Sequence, residues 1–298
     1  MNAAAALRAA GLDPEEVALL VRRTLAEDLG EAGDLTSLAT VPAAAVLDVR
    51  YVTREAGVVA GLPVLAAMVE IAPVDAAQGV DSAFALLATD GDRVAAGTPL
   101  AAWRAPARAV LALERTSLNL LGHLSGVATA TRAWADVVEG TGARVRDTRK
   151  TMPLLRALEK YAVRVGGGVN HRTGLYDAVL IKDNHVAAAG GVGAALDAAY
   201  AAHPRGSVVV QVEVDSLDQL DEALDHGAEQ VLLDNFDLAD LRTAVARTRD
   251  RAPATVLEAS GGLTLDVARA VADTGVDLLA VGALTHSARN LDIGLDVL

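Results

Sequence analysis

Cysteine is absent from the 298 residues, which excludes disulfides, thiolate catalysis and any cysteine-ligated zinc or iron–sulfur centre, and which suits a reducing cytoplasm. Aromatic residues are scarce, at 3%. Ala, Val and Leu supply most of the 52% hydrophobic content, so the expected core is built from many small close contacts, as in helices packed on parallel strands. No apolar run approaches the roughly 18 residues that would span a bilayer. The apolar opening lacks a charged leader and runs at once into Asp13-Pro14-Glu15-Glu16, which reads as a helix N-terminus with Asp13 as N-cap rather than as a signal peptide. Positive charge is also in short supply, 26 Lys+Arg against 39 Asp+Glu, a formal net charge of -13. Nucleic acid would therefore meet a negative surface almost everywhere. The expectation is a soluble cytoplasmic protein with one large domain or two of ordinary size.

Against that acidic background one stretch reverses sign. Residues 144–185 carry nine Lys/Arg and four Asp/Glu. A local excess of cations in an acidic chain is a focused positive field, suited to concentrating small anions in a cleft.

The spacing of Val17, Leu20, Val21 and Leu25 predicts a helix over 14–28 that stops at Gly30. The alternation VLDVRYV at 46–52 predicts a half-exposed antiparallel strand; 63–71 reads as a short helix, and residues 84–87 with GDRVAAGTPLAAW read as strands joined by Gly-containing turns. A long helical pattern follows over 108–139, which Gly122 and Gly126 are expected to break or bend. Arg115 falls within its apolar positions, between Leu113 and Leu118; it either snorkels or pairs with Glu114, or is aimed at an anion or another subunit. After Gly140 the rhythm changes to ARVRD, DAVLIKD, VVVQVEVD, EQVLLDN, TVLEAS and DLLAVG, six short apolar runs separated by helical segments. That repetition implies a parallel sheet curling toward a barrel, with only six convincing strands. Each run ends in polar or glycine residues, and in such folds the strand tips share the face where chemistry occurs. The tail LDIGLDVL is too short for a helix and reads as an edge strand returning to the first region.

Arg149, Lys150, His171, Arg172 and Lys182 form the candidate anion-binding group, flanking Gly166-Gly167-Gly168 at successive strand ends. Glu213 and Asp234 end otherwise apolar strands, where a carboxylate must be solvated, paired or metal-bound. They bind Mg2+ or ribose hydroxyls, or they form a salt bridge with the cations. Ser260-Gly261-Gly262 and Gly282, followed by Thr285 and His286, lie where barrels build phosphate sites from backbone N–H groups. Gly190-Gly191-Val192-Gly193 lacks the third glycine of a dinucleotide fingerprint and reads as a loop and helix start. No paired-histidine spacing indicates zinc. Lys182 also permits a different class of enzyme, a Schiff-base aldolase.

Taken in order, EDLGEAGDLTS, ERTSLNLLGHLSGVATAT, DTRKT, KYAVRVGGGVNHRTGLYD, LIKDNH, VEV, LLDN, ASGG and VGALTHS make the chain resemble the quinolinate phosphoribosyltransferases over nearly its whole length. That family commonly has glycine where Leu154 follows Met152-Pro153, and isoleucine where Leu263 stands. The resemblance implies an α/β protein, with an N-terminal α/β sandwich domain (1–112, rejoined by the tail 289–298) and a C-terminal incomplete, open α/β barrel (113–288). It implies transfer of phosphoribosyl from phosphoribosyl pyrophosphate (PRPP) to quinolinate with decarboxylation, giving nicotinate mononucleotide, CO2 and pyrophosphate for NAD biosynthesis. A relative acting on another aromatic acid is the alternative. By the same resemblance Thr148, Arg149, Lys150, His171 and Arg172 hold quinolinate, and Arg115 is donated across a homodimer interface. Lys150 and Lys182 meet the pyrophosphate of PRPP, Glu213 and Asp234 the ribose and Mg2+, and Ser260, Gly261, Gly282 and His286 the 5'-phosphate.

Overall fold

The structure, a computed structural model, describes residues 2–72 and 82–298. It divides into two compact units: Met1–Ala130 with Met152–Gly166 and Ser287–Leu298, and Thr131–Thr151 with Gly167–His286.

The first unit opens with α1 (Ala3–Ala9) and α2 (Pro14–Leu29). Asp13 caps α2 by accepting from the Glu15 N–H, Pro14 occupies its first turn, and Gly30 ends it at φ 51°, a left-handed value that glycine takes without strain. Val17, Val21 and Leu25 are its buried stripe. Then come α3 (Leu35–Thr40), β1 (Val46–Thr53), β2 (Gly57–Val58), α4 (Leu62–Ile71), β3 (Ala83–Leu86), β4 (Arg93–Val94), β5 (Pro99–Pro106) and the 32-residue α5 (Ala107–Val138). β1 is more buried than its alternating pattern predicts: Tyr51, Val52 and Thr53 are all buried. The reason is its central place, antiparallel to β5 on one side and to the C-terminal strand on the other. The Tyr51 hydroxyl meets Ser117 of α5 at 3.0 Å, and the Thr53 hydroxyl donates to the Ala95 carbonyl.

Gly122 and Gly126 do not break α5, which runs through both. They serve a close approach. The chain at 289–291 crosses the helix there, and Leu291 N–H donates to the Gly122 carbonyl at 2.9 Å. A Cβ at Gly126 would overlap the Arg289 carbonyl. Helix α6 (Arg156–Val165) belongs to this unit and buries Glu159 completely. Glu159 binds His123 Nε2 at 2.8 Å and accepts from the Met152 N–H at 3.1 Å. Leu154, in the loop so anchored, has φ 67°, the left-handed conformation that glycine adopts more cheaply by about 1–2 kcal/mol.

The second unit is strand–helix repetition. β6 (Arg144–Arg146), β7 (Ala178–Ile181), β8 (Val209–Val214), β9 (Gln230–Asp234), β10 (Val256–Ser260) and β11 (Leu278–Ala280) form one sheet in the order β6-β11-β10-β9-β8-β7, every pairing parallel. β6 and β7 are its two edges and share no ladder among the described residues, so the barrel is open. The intervening helices are α7 (Asp183–Ala189), α8 (Val192–Ala202), α9 (Leu217–Asp225), α10 (Leu238–Arg251), α11 (Leu265–Ala272) and α12 (Ala283–His286). Ser216 and Asp237 cap α9 and α10 at the ends of short loops leaving the strand tips. Gly190 and Gly191 form the loop before α8. The tail is β12 (Ile293–Val297), the edge strand beside β1 in the first unit.

Candidate active site

Side chains alternate faces along a strand, so residues two apart share the barrel interior. Parallel register stacks them into layers. Asp234 pairs with Ser260 and Leu232 with Glu258, which places carboxylate and hydroxyl at the strand tips and a second carboxylate one layer below. The tips of β7 to β10 and the loops after β6 and before β7 surround a cavity of about 480 Å³. Thr148, Arg149, Lys150, His171, Arg172 and Lys182 line it together with Glu213, Asp234 and Ser260.

Local bonds fix the cations. Buried Asp147 accepts from Asn170 Nδ2 at 2.6 Å and from the His171 N–H at 2.7 Å, joining the exit of β6 to the loop that carries His171 and Arg172. The Lys150 backbone is held at both ends, its N–H by the Thr148 hydroxyl at 3.0 Å and its carbonyl by the Thr285 hydroxyl at 2.7 Å. Asp177 accepts from the Thr173 and Gly174 N–H groups and closes the loop before β7, while Arg172 Nη1 donates to the Ala178 carbonyl. Arg149 Nε and Arg172 Nε are buried without a hydrogen-bond partner among the described residues. Burial, and then the charge of Arg149, pull the Arg172 guanidinium below its ordinary pKa. Both arginines line the cavity, and planar guanidinium donors suit anionic oxygens.

The carboxylates behave differently from one another. Glu213 Oε2 pairs with Lys182 Nζ at 2.6 Å, the salt bridge that the sequence reading held open against metal or ribose binding. Asp234 accepts from Asn235 Nδ2 at 2.7 Å. Among the described residues no group of three His, Asp or Glu side chains could hold a metal ion. Glu213 and Asp234 both line the cavity, and magnesium asks for only one or two protein carboxylates, completing its shell with water and substrate phosphates.

The glycine loops gather beside the same tips. A Cβ at Gly282 would lie 3.0 Å from Lys150 Cδ and 3.2 Å from His286 Nε2. Gly261, at φ 98°, abuts Asn235. Arg115 does not line the cavity. It is exposed on a strip of α5 with Leu111 and Asn119, not within the buried face where the sequence pattern put it. Among the described residues no helix is long and apolar enough to cross a membrane.

Gln211 and, as a site residue, Glu258 escaped sequence reasoning. Glu258 Oε2 accepts from Arg146 Nη1 at 3.0 Å and from Gln211 Nε2 at 2.5 Å; Gln211 Oε1 meets His171 Nε2 at 2.8 Å; His171 Nδ1 accepts from the Arg172 N–H at 2.8 Å. Both His171 nitrogens are thus engaged, Nε2 with Gln211 and Nδ1 with the Arg172 main chain. The available signal was spacing: Gln211 stands two before Glu213 and Glu258 two before Ser260, on the same inward face.

An open parallel barrel whose strand tips gather two arginines, two lysines, two carboxylates and glycine-rich loops defines an α/β-barrel site with the charge to hold multiply anionic small molecules. The chain belongs to the quinolinate phosphoribosyl transferase family: its residues 34–125 match the N-terminal domain of that family and 127–296 the C-terminal domain. It is 54% identical over 278 residues to the nicotinate-nucleotide pyrophosphorylase (carboxylating) of Mycobacterium leprae (strain TN), spanning 93% of this chain and 95% of that protein. It is 44% identical over 211 residues to a probable enzyme of the same name from Bacillus subtilis (strain 168), spanning 70% and 71%. The solved structure of the nicotinate-nucleotide pyrophosphorylase from Francisella tularensis superposes with a TM-score of 0.88 at 36% identity, covering 96% of this chain and 98% of that one.

Proposed function

We propose that this chain transfers phosphoribosyl from PRPP to quinolinate and decarboxylates the adduct, yielding nicotinate mononucleotide, CO2 and pyrophosphate. The observation that carries the reading is the lining of one cavity by the guanidinium side chains of Arg149 and Arg172, matched to an aromatic acid with two adjacent carboxylates. Thr148, Lys150 and His171 line the same cavity. Lys182 and Lys150 face the pyrophosphate, Glu213 and Asp234 the ribose, and Ser260, Gly261, Gly282 and His286 the 5'-phosphate. Arg115 of a second copy of the chain, in a homodimer, supplies a further cation to quinolinate.

The pyridine nitrogen attacks ribose C1 as the bond to pyrophosphate breaks, through an oxocarbenium-like transition state. Lys150 and Lys182 stabilise the charge growing on the leaving group, and Glu213 or Asp234 the positive charge on the sugar. Glu213 and Asp234 would hold Mg2+, which when bound offsets negative charge on the leaving pyrophosphate. The carboxylate beside the ring nitrogen then leaves as CO2, and its electron pair stays on ring C2 as an ylide stabilised by the adjacent cationic nitrogen, which a proton from water converts to the C2–H of nicotinate mononucleotide. Arg149 and Arg172 orient the departing carboxylate.

The aldolase alternative for Lys182 finds no support, because a Schiff-base lysine needs a desolvated amine, whereas this one is half-exposed and ion-paired with Glu213. Incubation with quinolinate, PRPP and Mg2+ should form nicotinate mononucleotide with CO2 and pyrophosphate. Formation of a mononucleotide from nicotinate, with no CO2 from quinolinate, would establish the relative that acts on another aromatic acid instead.

A further inference from the structure

Parallel barrels ordinarily fill the layer below their strand tips with branched aliphatic side chains. Here that layer holds Arg146, Gln211 and Glu258, with Gln211 at 2% and Glu258 at 0% exposure. Stability does not account for them. Burying an ion pair costs about as much as its attraction returns, and apolar residues of the same volume are often as stable or more so. Glu258 also leaves Oε1 buried without a hydrogen-bond partner among the described residues, a cost with no local compensation.

The bonds of this layer lead to the cavity wall. Glu258 Oε2 receives two donors, Arg146 Nη1 and Gln211 Nε2, so the Gln211 amide must turn its NH2 toward Glu258 and its carbonyl toward His171. His171 Nε2 therefore carries the hydrogen. Its Nδ1 lone pair is left to accept from the main-chain N–H of Arg172. One edge of the ring is pinned by the barrel floor while the other grips the backbone of the residue next to it. Arg172 needs such a hold, because its guanidinium lies in the field of Arg149 and the two like charges must both stay at the cavity before any anion arrives.

We propose that Gln211 and Glu258 are positioning residues: they set a single neutral tautomer of His171 and, through it, the placement of Arg172 that receives a carboxylate of the pyridine substrate. This rests on the quinolinate reading above. Without the Gln211 carbonyl the ring is free to protonate Nδ1, and the Arg172 N–H then loses its acceptor.

Two readouts test it, the His171 tautomer from imidazole 15N shifts of histidine-labelled protein without substrates, and steady-state KM and kcat. Wild type should show the Nε2–H form. A folded Gln211→Leu variant should lose that signature and raise the quinolinate KM about tenfold, the worth of one hydrogen bond, with kcat and the PRPP KM within about twofold. Gln211→Glu alone sets two carboxylates face to face, and their repulsion should swing the new side chain off Glu258 and so off the His171 Nε2–H, giving the same defect. Adding Glu258→Gln exchanges the donor and acceptor roles and should restore both the tautomer and, within about threefold, the quinolinate KM. Gln211→Leu with wild-type tautomer and quinolinate KM would overturn the proposal. So would a folded exchanged pair that keeps the single variant's defects, and that pair decides alone if Gln211→Leu does not fold. The tautomer needs no turnover to be seen, so an inactive protein with the expected tautomer would count against the quinolinate reading rather than against the strut.

Discussion

The two sheets hold their charges in opposite ways. On the antiparallel sheet of the first unit, Asp48 and Arg104 are register partners on β1 and β5, 3.8 Å apart, and each side chain is about half exposed, 47% and 55%. On the parallel sheet of the second unit, Arg146 and Glu258 are 3.0 Å apart, with 12% and 0% of their side chains exposed. Burial pushes the Glu258 carboxyl above its usual pKa, with Arg146 and Gln211 pulling the other way. A pair that water solvates costs little and contributes little. A pair inside the barrel is expensive to break, and its presence calls for a purpose that stability does not supply. Chemistry concentrates where the second kind of charge is found.

The largest effect should come from breaking the buried pair. Arg146→Met strands Glu258 and should cost about 3–5 kcal/mol in urea-induced unfolding, whereas Arg146→Met with Glu258→Leu should recover most of the loss. Equal destabilisation by the single and double variants would mean that packing, not charge, is the issue. One layer up, Arg149→Ala should weaken quinolinate binding by about a hundredfold, since charge-assisted hydrogen bonds contribute about 1.5–3 kcal/mol each. Its unfolding midpoint should hardly move, because the Nε it removes has no protein partner to strand. Calorimetric titration and thermal melts on the same samples check both halves of that statement.

Much of this division was legible in the sequence. Six apolar runs ending in polar residues foretold six parallel strands, and DTRK, NHR and LIKDNH foretold the cations lining the cavity, because a charge at the end of an apolar run is conspicuous. Gln211 and Glu258 were not conspicuous as a pair. Each sits inside a run that reads as apolar, and their meeting depends on a sheet order, β10-β9-β8, that no local pattern encodes. Gly122 and Gly126 misled for a related reason: their use lies in a chain crossing from 163 to 169 residues away, so local propensity suggested a break where tertiary contact required room. Arg115 shows the limit of reading a helix face by neighbours in sequence, since Leu113 and Leu118 lie on the buried side and Arg115 does not.

Two smaller substitutions sharpen the contrast further. Gly126→Ala drives a methyl into the Arg289 carbonyl and should destabilise by about 1–3 kcal/mol in thermal unfolding, with any loss of activity following stability. Arg104→Ala, on the solvated pair, should leave melting temperature and kinetics within experimental error.

The central claim is that paired cations at the strand tips read two carboxylates on one ring. Titrating quinolinate and nicotinate into the protein without PRPP addresses it most directly. The account predicts that quinolinate binds at least about tenfold more tightly than nicotinate, as one extra charge-assisted contact of about 1.5–3 kcal/mol requires, and that Arg149→Ala erases most of that preference. Equal affinity for the two acids, or a preference untouched by Arg149→Ala, would contradict it.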